Sequence, residues 1–169
     1  MIPFAREGAT VTARFTPHER ALLSGLAHQL VQLLDERAAE SPADLLYAQL
    51  GIGGSSAPPL DPALARLLPD AYRNDSEAAS EHRRLTELGL VDRKVANAMT
   101  VIRILGDKVV VLDEAEVQSW LRHFTDLRLV LAARLQIEVN GDEGNGDEPM
   151  LDLYDWLGYL QGTLVECLE

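Results

Sequence analysis

The chain has 169 residues, 47% of them hydrophobic and 25% charged, which is the balance of one ordinary soluble globular domain. Its 27 acidic side chains outweigh 15 basic ones, and the resulting net charge of -12 argues against unaided binding to a polyanion, because such affinity rests on cations that neutralise phosphates. A single cysteine, Cys167, excludes an intramolecular disulfide and a cysteine-based zinc site, and the lack of a signal-peptide core or of an apolar run near the ~20 residues that span a bilayer points to a cytoplasmic protein without membrane attachment.

The first clear pattern is Thr10 to Phe15, where Val11, Ala13 and Phe15 alternate with Thr10, Thr12 and Arg14 as in a half-buried strand. Thr16-Pro17-His18-Glu19 then reads as a capping box with proline in the first turn. The helix it opens carries Leu22, Leu26, Leu30, Leu33 and Leu34 on one stripe and stops at Ser41-Pro42. A short helix is expected over residues 43–50. The glycine, serine and proline residues of 51–60 predict a mobile loop. Asp61-Pro62 caps another short helix ending before Pro69, and helical composition resumes at Ser76 and runs to Leu105, with Gly89 as a point where the helix can kink or split. Lys108 to Leu112 is a β-branched run that predicts a second strand, paired with residues 10–15. Asp113 and Glu116 cap a helix striped by Val117, Trp120, Phe124, Leu127 and Leu131; because Leu129, Val130 and Ile137 lie off that stripe, this helix is either central or at a subunit interface. An acidic loop follows over 139–149, and Leu153, Leu157, Leu160 and Leu164 mark a terminal amphipathic helix. The expected fold is mainly α, a helical bundle with one small two-stranded antiparallel sheet, in a single domain over 1–169.

No catalytic signature is present, and neither the four histidines (His18, His28, His82, His123) nor the glycine-interrupted acidic loop matches the ligand spacing of a metal site. No cofactor or metal is expected. Charge is unevenly spread: nine acids and no base follow Arg134, so residues 1–134 hold 15 bases against 18 acids, a net of -3. A local basic surface from Arg83, Arg84, Arg93, Lys94, Arg103 and Lys108 is therefore open, as is their pairing with neighbouring acids on a solvated helix. His82 to Arg93 also has the look of a winged-helix recognition helix and strand entry, although a wing needs a hairpin after Arg93 where the helical spacing continues. Gly158 and Gly162, four apart on the last helix, point to close approach of another helix or of a second subunit, since each costs about 1 kcal/mol against alanine. Cys167, near the end of the chain, is a tentative redox position that requires an accessible thiol.

Leu68-Pro69-Asp70-Ala71-Tyr72-Arg73-Asn74-Asp75, the run Glu77 to Thr86, Arg93-Lys94-Val95-Ala96-Asn97-Ala98, Val111 to Glu116, Asp126 to Leu131 and the ending Trp156 to Val165 together resemble an actinobacterial family labelled a domain of unknown function. The resemblance runs over nearly the whole chain. It implies a role linked to an oxidative-stress-responsive transcription regulator that acts with RNA polymerase and a stress sigma factor. It also implies a gene neighbourhood shared with the ClpS protease adaptor. Family members that switch by oxidation use a cysteine pair, from which this sequence departs, having only Cys167. The leading expectation is thus a non-enzymatic regulator that binds protein partners, reaches DNA only weakly or through them, and forms a homodimer through a long helix or the glycine-bearing one. Its candidate contact residues are Arg73, Arg84, Arg93, Lys94 and Asn97. The competing expectations are an adaptor of the proteolysis machinery, a winged-helix DNA binder, and a small-molecule binder or enzyme built where Asp70, Tyr72, Arg73, Arg93 and Asn97 converge.

Overall fold

A computed structural model describes residues 1–41, 46, 49–50, 53–139 and 142–169; the short helix expected over 43–50 lies mostly outside the described residues. Three strands, β1 (Ile2–Glu7), β2 (Thr10–Arg14) and β3 (Val110–Leu112), and five helices are present among the described residues: α1 (Pro17–Ala39), α2 (Pro62–Leu67), α3 (Ser76–Leu105), α4 (Glu114–Arg134) and α5 (Glu148–Glu166). The fold is mainly α.

The expected pairing of residues 10–15 with 108–112 is present and antiparallel, with Val11 opposite Leu112 and Ala13 opposite Val110. The sheet has three strands rather than two, in the order β1-β2-β3. β1 carries Pro3, which removes a ladder donor, and its register with β2 shifts between Ile2 and Ala5; both features are tolerated because β1 is an edge strand. They also break the alternation that would have announced it. The inward face of the sheet brings Phe4 and Phe15 to Trp120 and Phe124 of α4, with ring centroids 5.5 Å apart for Phe4 and Trp120 and 5.7 Å for Trp120 and Phe124. Edge-to-face packing of this kind adds to the area buried.

Capping fixes where the helices start. Thr16 Oγ1 accepts from the Glu19 N–H and the Glu19 carboxylate accepts from the Thr16 N–H, and Asp113 with Glu116 repeats the arrangement at α4. Asp61 accepts from the Ala63 N–H at 2.7 Å at the start of α2. α3 runs unbroken through Gly89 for 30 residues. No hairpin follows Arg93, so the winged-helix reading is overturned. α4 packs against α2, α3 and α5 and is the central helix of the fold.

Residues 53–59 form neither helix nor strand but lie against α3. Gly53 donates to the Leu85 carbonyl of α3 at 3.4 Å, and its carbonyl accepts from the Leu88 N–H at 2.8 Å. Gly54 is buried so closely on the helix that a Cβ would stand 2.7 Å from Glu87 Cβ, with φ at +154°, so only glycine fits. Low apolar content reads as a loop free of the core, whereas here the backbone itself makes the contact. In the acidic loop, Asn145 donates to the Leu135 carbonyl at 2.6 Å, and the Asp142 carboxylate accepts from the Glu138 and Val139 N–H groups, which hold it below the usual carboxylate range.

Candidate functional site

α3 bears two ionic clusters two helical turns apart. The first centres on Glu87, buried between two buried arginines. Arg37 of α1 donates through Nε to Glu87 Oε1 at 2.7 Å, and Arg83 donates through Nη1 to Glu87 Oε2 at 2.5 Å. Arg37 also donates to the Ala57 carbonyl and Glu40, and Arg83 donates through Nη2 to the Leu68 carbonyl and Asp70, while Arg83 Nε is buried without a partner among the described residues. α1, α3 and the segments around Ala57 and Leu68 are tied together at one carboxylate. Arg83 is thereby withdrawn from the basic surface considered above.

The second cluster lines an open cleft of about 590 Å³ between α3 and α4, where Leu90, Arg93, Lys94 and Asn97 face Arg122, Thr125 and Asp126. Lys94 Nζ donates to Asp126 Oδ1 at 2.5 Å across the helix pair. Burial pushes the Asp126 carboxyl above its ordinary range, and the Lys94 ammonium partly opposes this. Thr125 is occupied, donating to the Leu121 carbonyl and accepting from Gln161. Arg93, Asn97 and Arg122 have no hydrogen-bond or ion-pair partner among the described residues. One turn before Asp126, His123 is 1% exposed and neither ring nitrogen has a partner; burial lowers its pKa to about 4, so the ring is neutral at pH 7.

The five expected contact residues therefore separate. Arg93, Lys94 and Asn97 meet at the cleft, joined by Arg122 and Asp126, which the sequence reading did not select. Arg84 is exposed, paired with Glu81 at 2.8 Å, and stands nine residues from Arg93, which at 3.6 residues per turn is the opposite side of α3. Arg73 is exposed in the turn before α3, beside Tyr72, whose ring lies edge-on to His82. Asp70 is bound to Arg83, so Asp70, Tyr72, Arg73, Arg93 and Asn97 do not converge on one pocket. Arg103 is paired with Glu116. No local signal marked Asp126: it lies one turn before Val130, off the apolar stripe of α4, and is buried by packing against α3, whose Lys94 supplies the cation an inward carboxylate needs.

Cys167 is buried rather than accessible, its thiol donating to the Thr163 carbonyl at 3.2 Å while Arg6 grips its own carbonyl at 2.8 Å. Burial pushes the thiol pKa up, the opposite of what a reactive thiolate requires. The two glycines of α5 differ. Above Gly158 lies the Arg128 guanidinium, 3.4 Å from where a Cβ would stand, rather than another helix backbone; Gly162 has nothing within 4 Å. Arg128 also lies over the Tyr154 ring, 4.8 Å from its centroid.

A profile for a domain of unknown function, DUF2017, matches residues 1–168. The chain belongs to this family. It is also similar to the protein called oxidative stress regulator AosR from Mycobacterium tuberculosis (strain H37Rv), with 35% identity over 95% of this chain and 83% of that protein. The same figures hold for the protein of that name from Mycobacterium bovis. A putative oxidative stress regulator AosR from Mycobacterium leprae is 37% identical over 90% of this chain and 79% of the relative. No solved structure matches the chain. Among the described residues, no helix is long and apolar enough to cross a membrane.

Proposed function

We propose that this protein is a non-enzymatic regulator of the oxidative-stress response that acts on transcription through protein partners, RNA polymerase and a stress sigma factor among them. The observation that carries the reading is the 35% identity spread over 95% of the chain to a protein called an oxidative stress regulator. Charge supports the indirect route to DNA, since a chain of net -12 gains little from phosphates until a partner supplies cations. A homodimer through α5 belongs to the same reading: Gly162 is open, and Tyr159 and Val165 beside it are about half exposed, at 50% and 45%.

The deciding experiment is affinity capture of the full chain from its native cells, with and without peroxide. Recovery of RNA polymerase and a sigma factor in amounts that change with oxidant is the expected result; recovery of protease subunits, or of the protein alone, overturns it. Because Arg84 and Arg93 lie on opposite sides of α3, Arg84→Glu and Arg93→Glu assign the contact. Loss of the complex in one variant alone names the side that docks.

A further inference from the structure

We propose that the cleft between α3 and α4 is a binding site for a small organic anion, a carboxylate or phosphate carried on an apolar body. The volume, about 590 Å³, lies within the range of small-molecule sites. Charge within it is unlike that of the molecule. Lys94 and Asp126 neutralise one another at 2.5 Å, which leaves the guanidinium groups of Arg93 and Arg122 without acidic partners among the described residues, one on each wall. Two uncompensated cations in a chain of net -12 form a local reversal of the field, and fork-shaped guanidinium groups recognise carboxylate and phosphate oxygens by paired N–H donors. The Asn97 amide, also without a partner, adds a neutral donor on the α3 wall, while Leu90 and Ala96 supply apolar surface between the polar groups.

The contrast with the other ionic cluster sets these arginines apart from those that tie the fold together. Around Glu87 the donors of Arg37 and Arg83, Arg83 Nε excepted, are taken up by carboxylates and backbone carbonyls. Arg93 and Arg122 are exposed at the cleft and hold nothing. A ligand bridging them spans the two helices above the Lys94–Asp126 contact, so its arrival is felt in the packing of α3 on α4. Resting on the regulator reading above, this gives the protein an input that needs no disulfide, which suits a chain whose one thiol is buried.

The test uses the isolated full chain and three probes: phenyl phosphate, benzoate and inorganic phosphate, titrated to about 10 mM while backbone amide resonances are followed. Saturable binding of phenyl phosphate or benzoate is expected, with shifts at Leu90, Arg93, Asn97 and Arg122; which of the two binds distinguishes phosphate from carboxylate chemistry. The double variant Arg93→Gln/Arg122→Gln lowers that affinity at least about tenfold, through loss of charge-assisted hydrogen bonds, while its melting temperature stays that of the parent. Asn97→Ala gives a smaller loss and serves as the second variant. Absence of saturable binding by all three probes overturns the proposal, as does binding undiminished in the double variant. Equal affinity for inorganic phosphate and phenyl phosphate also overturns it, because the apolar walls then contribute nothing. Since no partner protein is involved, failure here leaves the capture experiment intact, and failure of capture leaves this binding intact.

Discussion

Glu87 and Lys94 sit seven residues apart on the same helix, yet the ionic clusters around them are of opposite kinds. At Glu87 a buried carboxylate is shared by two buried arginines that also donate to carbonyls and other acids. At Lys94 one ion pair spans two helices beside open space and is flanked by cations with nothing to hold. In the first cluster each guanidinium is engaged by protein partners, although Arg83 Nε is left over; in the second, two guanidinium groups have no partner among the described residues. Engagement by protein groups, more than the number of charges, separates a device that fixes the fold from one that meets a ligand.

The hardest test of that contrast is Glu87→Ala, which removes the buried carboxylate two guanidinium groups share and leaves them only the exposed Glu40 and Asp70 as acidic partners. We expect it to cost about 3 kcal/mol or more and to shift the urea midpoint downward, because breaking a buried pair leaves charge poorly compensated. A loss under about 1 kcal/mol would show that water reaches the cluster and that it resembles the cleft after all. Lys94→Met comes next, at about 3 kcal/mol near pH 7, since the Asp126 carboxylate then lies buried and alone. The sign of its pH dependence follows from the raised Asp126 pKa: protonation is favoured in the folded state, so the deficit shrinks on acidification and grows as pH rises through the folded pKa. Unfolding curves for parent and variant between pH 4 and 8 check it.

His123, one turn away, moves stability the other way. Its folded pKa of about 4 lies below the ordinary 6.5, so the unfolded chain binds the proton more tightly and the parent loses about 3 kcal/mol as pH falls from 6.5 to 4. His123→Leu is expected to flatten that slope. A slope unchanged by the substitution would mean that other groups carry the acid sensitivity. Gly162→Ala sits at the small end, a gain of about 0.5–1 kcal/mol from helix propensity with no neighbour to displace. Should a second copy pack at that glycine, thermal melting at high protein concentration would show a loss in its place.

Much of the scaffold was legible because its signals are local. Thr16 with Glu19 and Asp113 with Glu116 announce helix starts within four residues, and the alternation of Val11 and Ala13 against Thr10 and Thr12 announces β2. β1 escaped because Pro3 and the shifted register at Ile2 and Ala5 erase the period-2 pattern on an edge strand. Part of the site was legible too: Arg93, Lys94 and Asn97 were selected from α3, whereas Arg122 and Asp126 were hidden on a helix read only for its apolar stripe. The Glu87 cluster shows the deeper limit. Arg83 and Glu87 have the spacing of a surface ion pair, and what buries them is Arg37, fifty residues away, together with a glycine segment that composition presents as loop. A charge's burial is set by partners from other elements, which periodicity within one helix does not report.

The bond from Arg6 to the Cys167 carbonyl makes the fold a ring in which the opening and closing elements hold each other. β1 leans on α5, and α5 in turn is held at its end by β1. Releasing the first strand is expected to loosen the last helical turn, and clipping that turn to loosen the strand.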